Sequence, residues 1–75
     1  MANVSMDDIL DLIADQLGTD DIDPGDRIVE DLGAESSDVA NIIAAVEDRF
    51  EIEVSEDAIA SIRTVQDVFV AVQNS

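Results

Sequence analysis

Apolar residues at Met6, Ile9, Leu10, Ile13 and Leu17 recur at intervals of three and four, the spacing of one face of an amphipathic helix. Ser5 precedes that run as an N-cap residue, and Asp8 completes an acidic form of the capping box. Gly18 supplies the stop. The cleanest stripe comes next. Val39, Ile42, Ile43, Val46 and Phe50 fall at i, i+3, i+4, i+7 and i+11, which predicts a helix starting at Ser36 or Ser37 and ending at Phe50. At about fourteen residues it is about 21 Å long. Ala40, Ala44 and Ala45 are expected to widen its apolar face, and the leucine-free stripe leaves room between helices for a guest chain. Ile52 and Val54 alternate with acids in a short extended link. Ser55, Glu56 and Asp57 then open a helix of one or two turns carrying Ile59 and Ile62. Thr64 and Asp67 form another capping pair, ahead of a last stripe at Val65, Val68, Phe69 and Val72. Asn74 and Ser75 are expected to fray.

Residues 19–35 show no helical period. Asp23-Pro24-Gly25-Asp26 is a turn signal. Ile22, Ile28, Val29 and Leu32 are expected to pin this loop onto the helices, and Gly33 suits a positive φ just before the second helix. A loop this long within a small domain is characteristically functional. No internal repeat interrupts the chain, and residues 1–75 are read as a single domain.

Charge changes the picture most. Nineteen acidic residues face three basic ones, Arg27, Arg49 and Arg63, for a net charge of -16. That balance argues against nucleic acid and anionic membrane surfaces, whose phosphates need cations. It favours partners with basic patches and, by self-repulsion, a monomer. Acids four apart, Asp7/Asp11 and Asp11/Asp15, destabilise the first helix by some tenths of a kcal/mol. The chain has no cysteine, which excludes disulfides and thiolate chemistry. Its start lacks the basic and apolar regions of a signal peptide, and no apolar run reaches the length of a membrane span. The expected location is the cytoplasm.

Candidate chemistry is sparse. There is no His, Lys or Tyr, and the carboxylates fall on solvated helix faces without an aromatic pocket to raise a pKa, so an enzyme active site is not expected. Asp20, Asp21, Asp23, Asp26 and Glu30 resemble a calcium loop only superficially. With Gly25 at the sixth position of an EF-hand loop, Ile22 and Pro24 occupy ligand positions three and five. No metal site is expected. Ser36 remains. A serine at a helix start is most often a cap, though Ser37 offers a second candidate for that role. The helix N-terminus would also stabilise an anion such as a phosphodiester on Ser36.

The tract Asp31-Leu32-Gly33-Ala34-Glu35-Ser36-Ser37-Asp38 resembles the Asp-Leu-Gly-x-Asp-Ser-Leu-Asp signature of acyl carrier proteins. Gln16-Leu17-Gly18 before it, and Val46-Glu47-Asp48-Arg49-Phe50, Ile52-Glu53-Val54 and Thr64-Val65-Gln66-Asp67-Val68 after it, have counterparts at the same spacing, so the likeness covers nearly the whole chain. The resemblance implies an all-α four-helix bundle of three longer helices and a short third one, without catalytic activity. It implies that Ser36 is esterified with 4'-phosphopantetheine, taken from coenzyme A by a phosphopantetheinyl transferase. The arm's thiol then carries acyl groups as thioesters in fatty acid or related lipid biosynthesis, and no cysteine is needed. By position, Glu35, Asp38, Glu47 and Asp48, with Glu56 and Asp57 on the third helix, would dock the basic patches of acyl-transferring or acyl-ligating enzymes. Val29, Ile43, Val46, Ile59 and Ile62 are candidates to line a shelter for the growing chain.

Four positions depart from the family pattern. Glu35 replaces an Asp and Ser37 a Leu; Asn41 stands where an acid is common, and Ala44 where a larger apolar residue is common. These point to a specialised member. Two alternatives stay open from sequence: a carrier for an amino acid, polyketide or peptide intermediate, and a non-carrier acidic interaction module in which Ser36 is only a helix cap.

Overall fold

A computed structural model describes residues 4–74. Four helices follow one another: α1 (Met6–Leu17), α2 (Ser36–Phe50), α3 (Glu56–Ser61) and α4 (Val65–Gln73). Among the described residues the only β pairing is a single antiparallel bridge between Arg27 and Thr64.

The helix ends follow the sequence signals closely. Ser5 accepts from the Asp8 N–H while its own N–H donates to Asp8 Oδ2, both at 3.2 Å. Gly18 closes α1 in the left-handed region at φ 72°, its N–H donating to the Ala14 carbonyl. Ser55 caps α3 by accepting from the Ala58 N–H. Asn74 is the C-cap of α4, its N–H donating to the Val70 carbonyl. The expectations for Met1–Asn3 and Ser75 lie outside the described residues.

The stripes make one core. Ile9, Ile13, Ile28, Ile42, Val46, Val65, Val68 and Val72 are fully buried, and no polar side chain is buried among the described residues. Leu12, outside the α1 stripe, is buried, while Leu10 and Leu17 only pack against the core's edge. The reason is that α1 packs against both α2 and α4 and must bury a face wider than one stripe. Ala40 and Ala44 face water rather than widening the buried face of α2. With acids confined to the surface, their mutual repulsion is screened by salt. Raising NaCl from 10 to 500 mM is expected to raise Tm by about 5 °C, roughly 1 kcal/mol; an unchanged melting curve would contradict this.

The long loop is held by the start of α4. The first N–H groups of a helix lack intrahelical acceptors. Here the Val65 N–H donates to the Asp26 carbonyl at 3.1 Å and the Gln66 N–H to the Pro24 carbonyl at 2.9 Å. The Ile28 N–H in turn donates to the Arg63 carbonyl at 2.9 Å, with the Ile28 side chain fully buried. Ile22 and Leu32 support it, half-buried against the core. Val29 does not pin the loop: it is 47% exposed.

Asp67 anchors the same junction. Its Oδ2 accepts from the Arg63 N–H at 2.9 Å and the Thr64 N–H at 3.0 Å. These bonds, led by that from Thr64, hold its pKa below the ordinary aspartate value of 3.8. A depressed folded-state pKa adds stability above the unfolded value, which is lost as pH falls through the folded one. Acid unfolding is therefore expected below about pH 4, after milder acidification has relieved the self-repulsion. Asp67→Asn is expected to be less stable at pH 7 with a shallower acid limb. An acid limb as steep as wild type would assign that transition to other groups.

Candidate functional site

The tract 31–38 assigns a structural task to almost every residue. Asp31 accepts from Arg27 three times: the backbone N–H at 2.9 Å, Nε at 3.2 Å and Nη2 at 3.2 Å. Arg27 side-chain bonding, before any other cause, holds the Asp31 carboxyl below its ordinary range. Leu32 packs on the core. Gly33 takes φ 74°, where a Cβ would be strained. Ala34 is buried, and its N–H donates to the Ile28 carbonyl at 3.2 Å. Glu35 is the N-cap of α2, and Asp38 takes the Glu35 N–H on Oδ2 at 2.9 Å.

That leaves Ser36 and Ser37. Neither serine caps the helix, so the alternative in which Ser36 is only a cap finds no support in the geometry: the N-cap position falls on Glu35. Asp38 satisfies the N-cap N–H from inside the first turn, and Gly33 and buried Ala34 bring the chain to an extended conformation at Glu35, so the helix begins with Ser36. Both serines are exposed, and neither hydroxyl is bonded to a described residue. Ser36 differs from Ser37 in one respect. It borders a cleft of about 420 Å³ whose apolar wall is Val29, Val39, Ala40, Ile59 and Ile62. Arg27, Glu30 and Arg63, all exposed, supply its charged edge.

The structure thus brings Ser36, Val29, Ile59 and Ile62 together from the expected set. Ile43 and Val46, at 2% and 0% exposure, belong to the core and do not border this cleft. Val39, Ala40, Arg27 and Arg63 belong to the cleft and were not foreseen. For the arginines the usable signal was their rarity in so acidic a chain.

The acidic candidates are spread around this centre. Glu35 and Asp38 flank Ser36, and Asp48 is exposed towards the end of α2. Glu56 and Asp57 lie exposed in the first turn of α3, where the helix dipole favours them. Glu47 has a structural bond: its Oε2 accepts from the Val54 N–H at 2.8 Å, tying the link after α2 back onto the helix.

A family model described as a phosphopantetheine attachment site matches residues 7–69. An acyl carrier protein of Syntrophobacter fumaroxidans is 46% identical over 63 residues, covering 81% of this chain and 78% of its own. This chain belongs to the acyl carrier protein family. An acyl carrier protein of Sulfurovum sp. is 36% identical, covering 91% of this chain and 93% of its own. The solved structure of a putative acyl carrier protein from Mycobacterium tuberculosis superposes with a TM-score of 0.87 at 33% identity, covering 92% of this chain and 95% of that one. The four-helix architecture is the acyl carrier protein fold.

Acyl carrier proteins are carriers, not enzymes, and hold 4'-phosphopantetheine covalently. They meet a phosphopantetheinyl transferase and acyl-handling enzymes. The residues around Ser36 fit that group. The hydroxyl is exposed and unbonded, and the N–H groups of the first turn of α2 favour an anion placed there. No helix among the described residues is long and apolar enough to cross a membrane.

Proposed function

We propose that Ser36 carries the phosphopantetheine arm and that the chain shuttles acyl groups among enzymes of fatty acid or related lipid biosynthesis. The observation that supports this most is local. In a tract where its neighbours are tied down, the Ser36 hydroxyl is free, exposed and beside an apolar cleft. The arm, once attached, supplies a thiol on which an acyl group is held as a thioester. The protein's own contribution is to present Ser36 on a rigid helix start and to offer Val29, Val39, Ile59 and Ile62 as apolar cover. Against the cap-only module stands Glu35, which already occupies the N-cap position. Intact mass of the protein isolated from its own cells, before and after hydroxylamine, tests the reading. A fatty acyl group released by hydroxylamine is expected; an aminoacyl or peptidyl group would contradict the lipid assignment.

Docking is proposed to use the acids flanking Ser36 and those exposed along α2 and α3, namely Glu35, Asp38, Asp48, Glu56 and Asp57, against basic patches, with the carrier a monomer in the cytoplasm. Glu47 belongs to the same face, but its bond to Val54 makes it a poor probe. Asp48→Lys is the clean one. It is expected to slow transferase loading about tenfold at low salt and to leave melting within about 0.5 kcal/mol. Unchanged loading kinetics would remove the end of α2 from the docking face.

A further inference from the structure

Two of the chain's three cations, Arg27 and Arg63, border the cleft beside Ser36. Arg27 is committed. Its Nη1 lies 2.6 Å from Glu30 and its Nε 3.2 Å from Asp31. The Arg63 guanidinium makes no salt bridge among the described residues, where both ion pairs belong to Arg27. The acid beside it is Asp67, which accepts from the Arg63 backbone N–H and is stabilised in part by the Arg63 charge. Arg63 Nη1 donates to the carbonyls of Ala60 and Ile62, each at 3.0 Å. Those two bonds to neutral carbonyls hold the guanidinium at the end of α3 without neutralising its charge, which Asp67 offsets only in part. Nε and Nη2 donate to no described residue.

We infer that Arg63 is a cargo-recognition residue, which holds the carboxylate at the far end of a dicarboxylic acyl group lodged in the cleft. The inference rests on Ser36 carrying the arm. Three considerations support it. The wall formed by Val29, Val39, Ile59 and Ile62 suits a short run of methylenes, but the edge of the cleft is charged rather than apolar. A methyl-ended chain gains nothing from that edge, whereas a carboxylate gains charge-assisted hydrogen bonds from a pre-positioned guanidinium. Elsewhere this surface, at net charge -16, repels an anion. The remaining charges of the cleft, Arg27 and Glu30, largely neutralise each other. Arg49 provides a built-in control: it carries the same charge at the end of α2 and does not border the cleft.

The test loads adipoyl, labelled with carbon-13 at its free carboxyl, from its coenzyme A thioester through a phosphopantetheinyl transferase. Hexanoyl serves as the methyl-ended match. NMR reads the titration of the free carboxyl and the Arg63 Nε–H cross-peak. Arg63→Gln is expected to raise the carboxyl pKa by roughly one unit, with Arg63→Lys close to wild type and Arg49→Gln without effect. The Arg63 cross-peak is expected to move with adipoyl and to stay in place with hexanoyl. Identical titration in wild type and Arg63→Gln would overturn the inference. So would an equal shift in Arg49→Gln, which would mark a diffuse field. A cross-peak that moves on attachment of the bare arm, and no further with adipoyl, would overturn it too, by placing the arm's own phosphodiester on Arg63. Failure of the carrier reading looks different: no mass is gained at Ser36 in any variant. Circular dichroism and melting of Arg63→Gln confirm that the end of α3 is intact.

Discussion

Ser36→Ala is expected to abolish loading by a phosphopantetheinyl transferase while changing stability by less than about 0.5 kcal/mol. The two halves of this result test different things. A serine that caps a helix loses about 1 kcal/mol on conversion to alanine, because an orphan N–H of the first turn loses its acceptor. Ser36 has no such acceptor role. The N-cap is Glu35, and the N–H there is taken by Asp38. Alanine is also the better residue inside a first helical turn. Ser37→Ala, alike in exposure and helical position, is expected to load normally. Loss of stability in Ser36→Ala together with normal loading would restore the cap-only interpretation.

Ile28→Ala is expected to destabilise the fold by about 2–5 kcal/mol, as much as truncating a buried isoleucine of a helix. The side chain is fully buried in the core although it belongs to the loop, and its N–H donates to the Arg63 carbonyl. Removing it leaves a cavity where the loop meets the junction of α3 and α4. A domain this small has little stability in reserve, so a fall in Tm on the order of 10 °C or more follows. The Ala34 N–H is bonded to the Ile28 carbonyl, so the tract that presents Ser36 loosens as well. Val29→Ala, at the neighbouring exposed position, is expected to stay within about 0.5 kcal/mol. Thermal melts of the pair decide it: equal, small losses would show that the loop is not anchored through Ile28.

The helices were legible because their signals are local. Ser5 with Asp8, Gly18, and Thr64 with Asp67 each act within one turn, and the apolar stripes repeat at the helical period. The start of α2 was legible too: the apolar stripe puts it at Ser36 or Ser37, and the helix begins at Ser36. The cap was not legible: sequence favours serine over glutamate as an N-cap, but Glu35 holds that position and its own N–H is taken by Asp38 from within the first turn. The cleft was legible only in part. Val29, Ile59 and Ile62 border it, whereas Ile43 and Val46, with the same chemistry, are turned into the core. Which apolar residues face a groove depends on how α2, α3 and the loop are set against one another. That setting comes from long-range bonds, such as those from Val65 and Gln66 to the carbonyls of Asp26 and Pro24, which no periodicity announces. Arg63 was marked in the sequence only by its rarity; its place at the cleft follows from the turn between α3 and α4.

The most direct test of the account is site-resolved mass spectrometry of the wild-type chain after incubation with coenzyme A, magnesium and a broad-specificity phosphopantetheinyl transferase. One phosphopantetheinyl group per chain is expected, with the fragment ions placing it on Ser36. Attachment at Ser37, or no mass gain with several transferases, would contradict it.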